Sequence, residues 1–267
     1  MKKKTPATFG DRLINFHLPD AWHKLEQWQL RYVCYIMTRF DPVTAKTYIF
    51  VRLLGITVLR RQEDGWVCSV RNGWKKVRFF VHSWQVQSFL HMLDFIERPG
   101  DMPFCLWRIG RFRSVDARLH DVPFKEYVSI ENYYQGFLRT RDNALLRSMA
   151  ILLYVDRKGR HPRRFNPSEE ELLSVFLWIA SVKNHFTKCF PYLFRPPEQL
   201  EGEAFNMLEL VNAEIRALTG GDITKEREVL QMDCWRALTE LNEKAREAQE
   251  LQQRYGCLLY TSPSPRD

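Results

Sequence analysis

Two glycine turns set eight residues apart, Asp64-Gly65 and Asn72-Gly73, constrain this chain more than any other feature, because each separates short runs rich in β-forming residues. The runs are 56–59, 66–70 and 77–81. Tight hairpins need positive φ angles that Asp-Gly and Asn-Gly supply at little cost, so the segment predicts three short antiparallel strands joined as a meander over about 56–81. It is the one stretch of clear β character. The fold class expected is mainly α, with a small antiparallel three-stranded β-meander in the N-terminal third, α+β overall.

Helical periodicity governs the rest. Trp22, Leu25, Trp28, Tyr32 and Tyr35 recur at steps of three and four, predicting one apolar helix face that opens at Pro19-Asp20 and ends near Asp41-Pro42. Asp41-Pro42 also forms a cap with proline at the first helical position, which predicts a second helix to Gly55; the β-formers of 47–51 leave a strand as the alternative. Ser83 can cap a helix from 84 to about 97, closed by Pro99-Gly100. Residues 101–121 carry little pattern beyond a short strand at 106–109 and a basic run at Arg108, Arg111 and Arg113. From Pro123 onward helices are expected at about 123–138, 142–155, 167–188, 203–218 and 223–255. Glu169, Glu170 and Glu171 fall on a first helical turn, where carboxylates complement the helix dipole rather than forming an acid–base cluster.

Charge is distributed unevenly along the chain. Its formal net charge is +8, yet residues 1–167 hold 29 Lys and Arg against 15 Asp and Glu, while 168–256 hold 10 against 16. A body of net +14 beside a segment of net −6 implies an anionic counterpart: nucleic acid, the chain's own acidic part, or an acidic protein. The densest site is the loop Arg157-Lys-Gly-Arg-His-Pro-Arg-Arg164, where Gly159 and Pro162 oppose helix formation. Its cations Arg157, Lys158, Arg160, Arg163 and Arg164 suit phosphate contacts that do not read sequence, or else form a solvated loop facing the acidic segment.

Composition and motifs exclude several function classes. With 45% hydrophobic and 27% charged residues the chain matches ordinary globular usage. Of the six cysteines, Cys257 lies in a C-terminal tail that reads as non-native; the other five, Cys34, Cys68, Cys105, Cys189 and Cys234, are widely spaced and odd in number, which fits reduced thiols in the cytoplasm rather than a disulfide framework or zinc site. No apolar run approaches the roughly 20 residues of a membrane span, and Lys2-Lys-Lys4 has no apolar stretch behind it. Phosphate loops, dinucleotide fingerprints, zinc-protease helices and nucleophile elbows are missing, and the histidines show no ligand spacing; the expectation is a binding protein without catalysis, cofactor or metal.

Towards the C-terminus, Leu230, Leu238 and Leu241 form a narrow apolar stripe on the expected 223–255 helix, a candidate contact surface for another protein chain; packing on its own domain is the alternative. Glu240 and Lys244, and Glu250 and Arg254, stand as i,i+4 pairs on a solvated face. The last residues, 257–267, resemble the translation of a sequencing-adapter end, which leaves Gly256 as the last legible natural residue and the source as a metagenomic assembly. The expected organisation is a basic α+β region over 1–121, a helical region over 122–221, a long helix over 222–256 and the non-native tail over 257–267.

Three segments, Glu131-Asn-Tyr-Tyr-Gln-Gly-Phe-Leu138, Ser174-Val-Phe-Leu-Trp-Ile-Ala-Ser-Val-Lys-Asn-His-Phe186, and the stretch from Ala217 through Thr-Gly-Gly-Asp222 to Leu241, resemble uncharacterised proteins of Bacteroidales phages and prophages. The resemblance implies a tail-assembly-chaperone-like factor that engages a tape-measure or other tail protein in the host cytoplasm. The alternative is a basic nucleic-acid-binding protein of a mobile element.

Overall fold

The computed structural model describes residues 18–72, 74–194 and 207–260. Contacts divide the chain into two compact units. One holds the described residues up to Gly100 together with Ser168–Ser174; the other holds Asp101–Pro167 and the described residues from Val175 onward. Residues 101–121 thus belong with the helical region, because a strand within them pairs with one beyond residue 150.

In the first unit a 3-10 turn, Trp22–Lys24, precedes α1 (Gln27–Met37) and α2 (Pro42–Leu53). The first helix begins later than the apolar spacing predicts. Glu26 and Gln29 form a reciprocal capping box that fixes the start at Gln27, and the buried face becomes Leu30, Val33, Cys34 and Ile36. Trp28 and Tyr35 are left exposed, while Trp22 is buried and donates from Nε1 to the Arg98 carbonyl at 2.8 Å. Asp41 caps α2 as expected, accepting from the backbone N–H groups of Val43 and Thr44, so 47–51 is helix and not strand.

The meander follows as β1 (Thr57–Gln62), β2 (Gly65–Asn72) and β3 (Lys75–His82), all antiparallel in the order β1-β2-β3. Its first turn lies one residue earlier than the sequence suggests. Gln62 pairs with Gly65, so Glu63 and Asp64 form the corner and Gly65 already belongs to the strand. The glycine is required for space: a Cβ there would stand 2.1 Å from the Val81 carbonyl oxygen and 2.9 Å from Phe80 Cζ. Gly73, at the second corner, lies outside the described residues. Then come α3 (Ser83–Leu90), capped from His82 with Gln85, and a 3-10 segment His91–Glu97. The buried Lys46 amine pairs with Asp94 and, at 2.6 Å, with Glu97.

The second unit has its own three-stranded sheet, β4 (Arg108–Ile109), β5 (Phe112–Ser114) and β6 (Tyr154–Val155), in sequential antiparallel order. Between β5 and β6 run α4 (Phe124–Thr140) and α5 (Asn143–Leu153). After β6 come α6 (Glu169–Cys189), which belongs to this unit from Val175 onward, and α7 (Met207–Thr219), then a 3-10 turn Ile223–Lys225, α8 (Glu226–Gln231) and α9 (Cys234–Tyr260). The core gathers Phe124, Met149, Leu153, Tyr154, Trp178 and Phe186, each at most 1% exposed. Trp178 Nε1 donates to the Ala117 carbonyl and the Tyr154 hydroxyl to the Leu106 carbonyl, satisfying both polar tips of buried rings.

The long helix expected over 223–255 is broken at Met232-Asp233. Backbone pairing with the segment before α4 causes the break: Phe124 N donates to Met232 O, Cys234 N donates to Val122 O, and the Asp121 N–H donates to Asp233 Oδ2, all within 2.8 Å. Asp233 then accepts from the Arg236 N–H, capping α9. Among the described residues no helix is long and apolar enough to cross a membrane.

Candidate anion-binding cleft

The small sheet of the second unit explains how two basic segments far apart in sequence meet. In its register Arg108 pairs with Arg113 and Ile109 with Phe112, while Arg113 pairs with Val155 and Ser114 with Tyr154. Gly110, at φ +55, turns the β4–β5 hairpin so that Arg108 and Arg111 flank its corner. The chain leaving β6 enters the loop 156–164 beside that corner. Together they line a cleft of about 960 Å³ containing Arg108, Arg111, Arg157, Lys158, Arg160, Arg163 and Arg164, all exposed, with Phe112 on its wall.

Asp156 shapes the loop. Its Oδ1 accepts from the backbone N–H groups of Lys158 at 2.7 Å and Arg160 at 3.0 Å, and its Oδ2 accepts from Arg160 Nη2 at 2.9 Å. The Asp156 N–H donates to the Arg160 carbonyl, and Gly159 takes φ +74, a left-handed conformation that favours glycine. These bonds hold the Asp156 carboxyl down to about 2, the Arg160 backbone N–H first, against the opposing effect of desolvation. Asp156, the carboxylate that lines the cleft among the described residues, is thereby matched by Arg160, and Arg108, Arg111, Arg157, Lys158, Arg163 and Arg164 line the cleft with it.

His161 ties the loop to the helices. Its Nδ1 lies 3.1 Å from the Ile151 carbonyl and its Nε2 lies 3.3 Å from Glu126 Oε1 on the first turn of α4. Pro162 is buried, and Phe165 packs edge-on to Phe112 at 5.3 Å and against Tyr154 at 5.7 Å, so aromatic packing supports the wall from behind. Arg111 lies over the Phe112 ring at 5.0 Å. The result is a cationic bowl with a fixed rim, suited to a ligand carrying several negative charges. Among the described residues no cluster of three or more His, Cys, Asp or Glu could hold a metal ion.

All five cations the sequence marks, Arg157, Lys158, Arg160, Arg163 and Arg164, lie on this cleft. Arg108 and Arg111, which the sequence shows as part of a basic run beside a short strand, join them through the pairing of β5 with β6, and strands of two or three residues carry no signal of such a partner. The apolar stripe fares differently. Leu238 and Leu241 are 0% and 4% exposed, and Leu230 is half-buried on α8, a separate helix. Cys234 and Ala237 are buried beside them, so the stripe packs into the unit's own core and offers no open surface at Leu238 or Leu241. Neighbouring Asn242 accepts from the Tyr192 and Leu193 N–H groups, fixing α9 against the end of α6. Cys34, Cys68, Cys105 and Cys234 are buried thiols and Cys189 is exposed.

Comparison with known proteins gives no match: no family model, no curated sequence and no solved structure resembles the chain significantly.

Proposed function

We propose that the protein acts by binding nucleic acid, with the cleft of the second unit taking a stretch of phosphate backbone. One observation supports this above the others: seven Lys and Arg side chains from two distant segments line a single cleft whose lining carboxylate, Asp156, is already engaged by Arg160. Phosphate contacts of this kind release counterions, so affinity depends steeply on salt and weakly on sequence. Phe112 and Phe165 support the cleft wall from within, and binding through charge fits them better than a row of stacked bases. The assembly-factor reading, to which the sequence resemblance gives first place, rests on Leu230, Leu238 and Leu241 as the contact for a tape-measure or other tail protein; Leu238 and Leu241 are buried, so that reading needs another surface.

The test is fluorescence anisotropy of a labelled duplex with the intact chain and with Arg111, Arg157, Lys158, Arg163 and Arg164 all changed to Gln. These residues are exposed, so the fold should persist, which circular dichroism checks. Binding that weakens by at least about tenfold and loses several units of salt slope is expected; equal binding by the substituted chain would exclude the cleft.

A further inference from the structure

We propose that the outward face of the meander in the first unit is a separate docking surface for double-stranded DNA, seated in the major groove. It lies on a different unit from the cleft and stands without it.

Strand register sorts the meander's side chains into two faces. Val58, Trp66, Cys68 and Val81 line a small apolar cavity of about 150 Å³ with Phe50 of α2 and Val86 of α3, so this face packs inward. The opposite face carries Arg60, Arg71, Lys76 and Arg78, all exposed, together with the half-buried Val67 and Phe80 and the buried Ser69. Among the described residues none of the four cations has an ion-pair partner. Arg71 stands directly opposite Lys76 across β2 and β3. Like charges in that position oppose sheet pairing, and a bound polyanion removes the penalty. At the β2–β3 tip Trp74 is fully exposed, an apolar ring with no packing role.

Dimensions select the polyanion. The β2–β3 pair, two strands about 4.8 Å apart that carry Arg71, Lys76 and Arg78, matches the two-stranded ribbon that the DNA major groove, about 12 Å wide, admits. The major groove of duplex RNA is too narrow and deep for it. Arginine at the groove floor can pair with guanine edges, whereas cations on the rim meet phosphates.

The experiment compares the full-length chain with the fourfold variant Arg60→Gln, Arg71→Gln, Lys76→Gln, Arg78→Gln and, separately, with the cleft variant, on a labelled DNA duplex of about 30 base pairs over a salt series. Each neutralised contact removes about 0.9 from the slope of log K against log[salt], so the meander variant should be shallower by roughly three to four. An unchanged slope overturns the docking surface, and the cleft reading survives if its own variant still weakens binding. A loss restricted to the meander variant reverses those fates. Equal, meander-dependent binding of an RNA duplex of the same length overturns the groove assignment. So does an undisturbed DNA affinity alongside lost binding to phosphatidylserine vesicles, which would make the surface a lipid contact. If the fourfold variant loses its circular dichroism, Arg71→Gln alone, which relieves the clash with Lys76, must still remove about one unit of slope.

Discussion

At the scale of single residues, three positions connect sequence to measurable energetics. Gly65 is held by lack of room, with the Val81 carbonyl and the Phe80 ring where a side chain would go. Gly65→Ala should destabilise the first unit by more than about 1 kcal/mol, read by chemical denaturation, because β3 must move to accept a methyl group. Burial pushes the Glu214 carboxyl on α7 up to about 7, with the charge of Glu131 adding to it. Its folded value lies above its ordinary 4.5, so the stabilising effect is complete below about pH 4.5 and is lost as pH rises through about 7. Glu214→Gln should flatten that decline, raising stability near pH 8 by on the order of 1–3 kcal/mol; thermal melts at about pH 5 and about pH 8 show whether the gap closes. Asp156 shifts the other way. Held down to about 2, it supports the loop above its ordinary 3.8 and stops doing so as pH falls through about 2.

At the scale of elements, the sequence was most legible where one local rule fixed a boundary. Asp41-Pro42 started α2, the two turn signals marked the meander, and Glu169, Glu170 and Glu171 marked the first turn of α6, where Glu171 accepts from the Ser168 N–H. Long-range pairing erased such rules elsewhere. Good helix formers run through 223–255, yet the backbone of 122–124 takes the hydrogen bonds of 232–234 and splits the helix. No local signal reports a partner more than a hundred residues away. The stripe Leu230, Leu238 and Leu241 left two readings open for the same reason, since periodicity finds an apolar face without saying what covers it, and the structure shows Leu238 and Leu241 packed on their own unit. Leu238→Ala should therefore cost about 2–5 kcal/mol as a core truncation, measured by denaturation. Asp233→Ala should cost about 1–2 kcal/mol by removing both the α9 cap and the acceptor for the Asp121 N–H.

For the whole molecule, eleven of the Lys and Arg residues of 1–167 fall on two surfaces, seven on the cleft of one unit and four on the meander of the other. Five of the seven cleft cations could be read in the chain as the run 157–164; the other two are brought to it by a three-stranded sheet whose pairing no local signal reports. The meander could be read, but which of its faces remained open could not, because that depends on how α2 and α3 pack beneath it. Charge is the common currency of both surfaces, and salt dependence is its direct readout. The decisive measurement is the affinity of the intact chain for duplex DNA between about 50 and about 200 mM salt. A linear fall of log K with log[salt], with a slope of at least about −5, is predicted from the cations of the two surfaces acting together. Binding that is undetectable at low salt, or that does not change across the series, would contradict a function built on phosphate contacts.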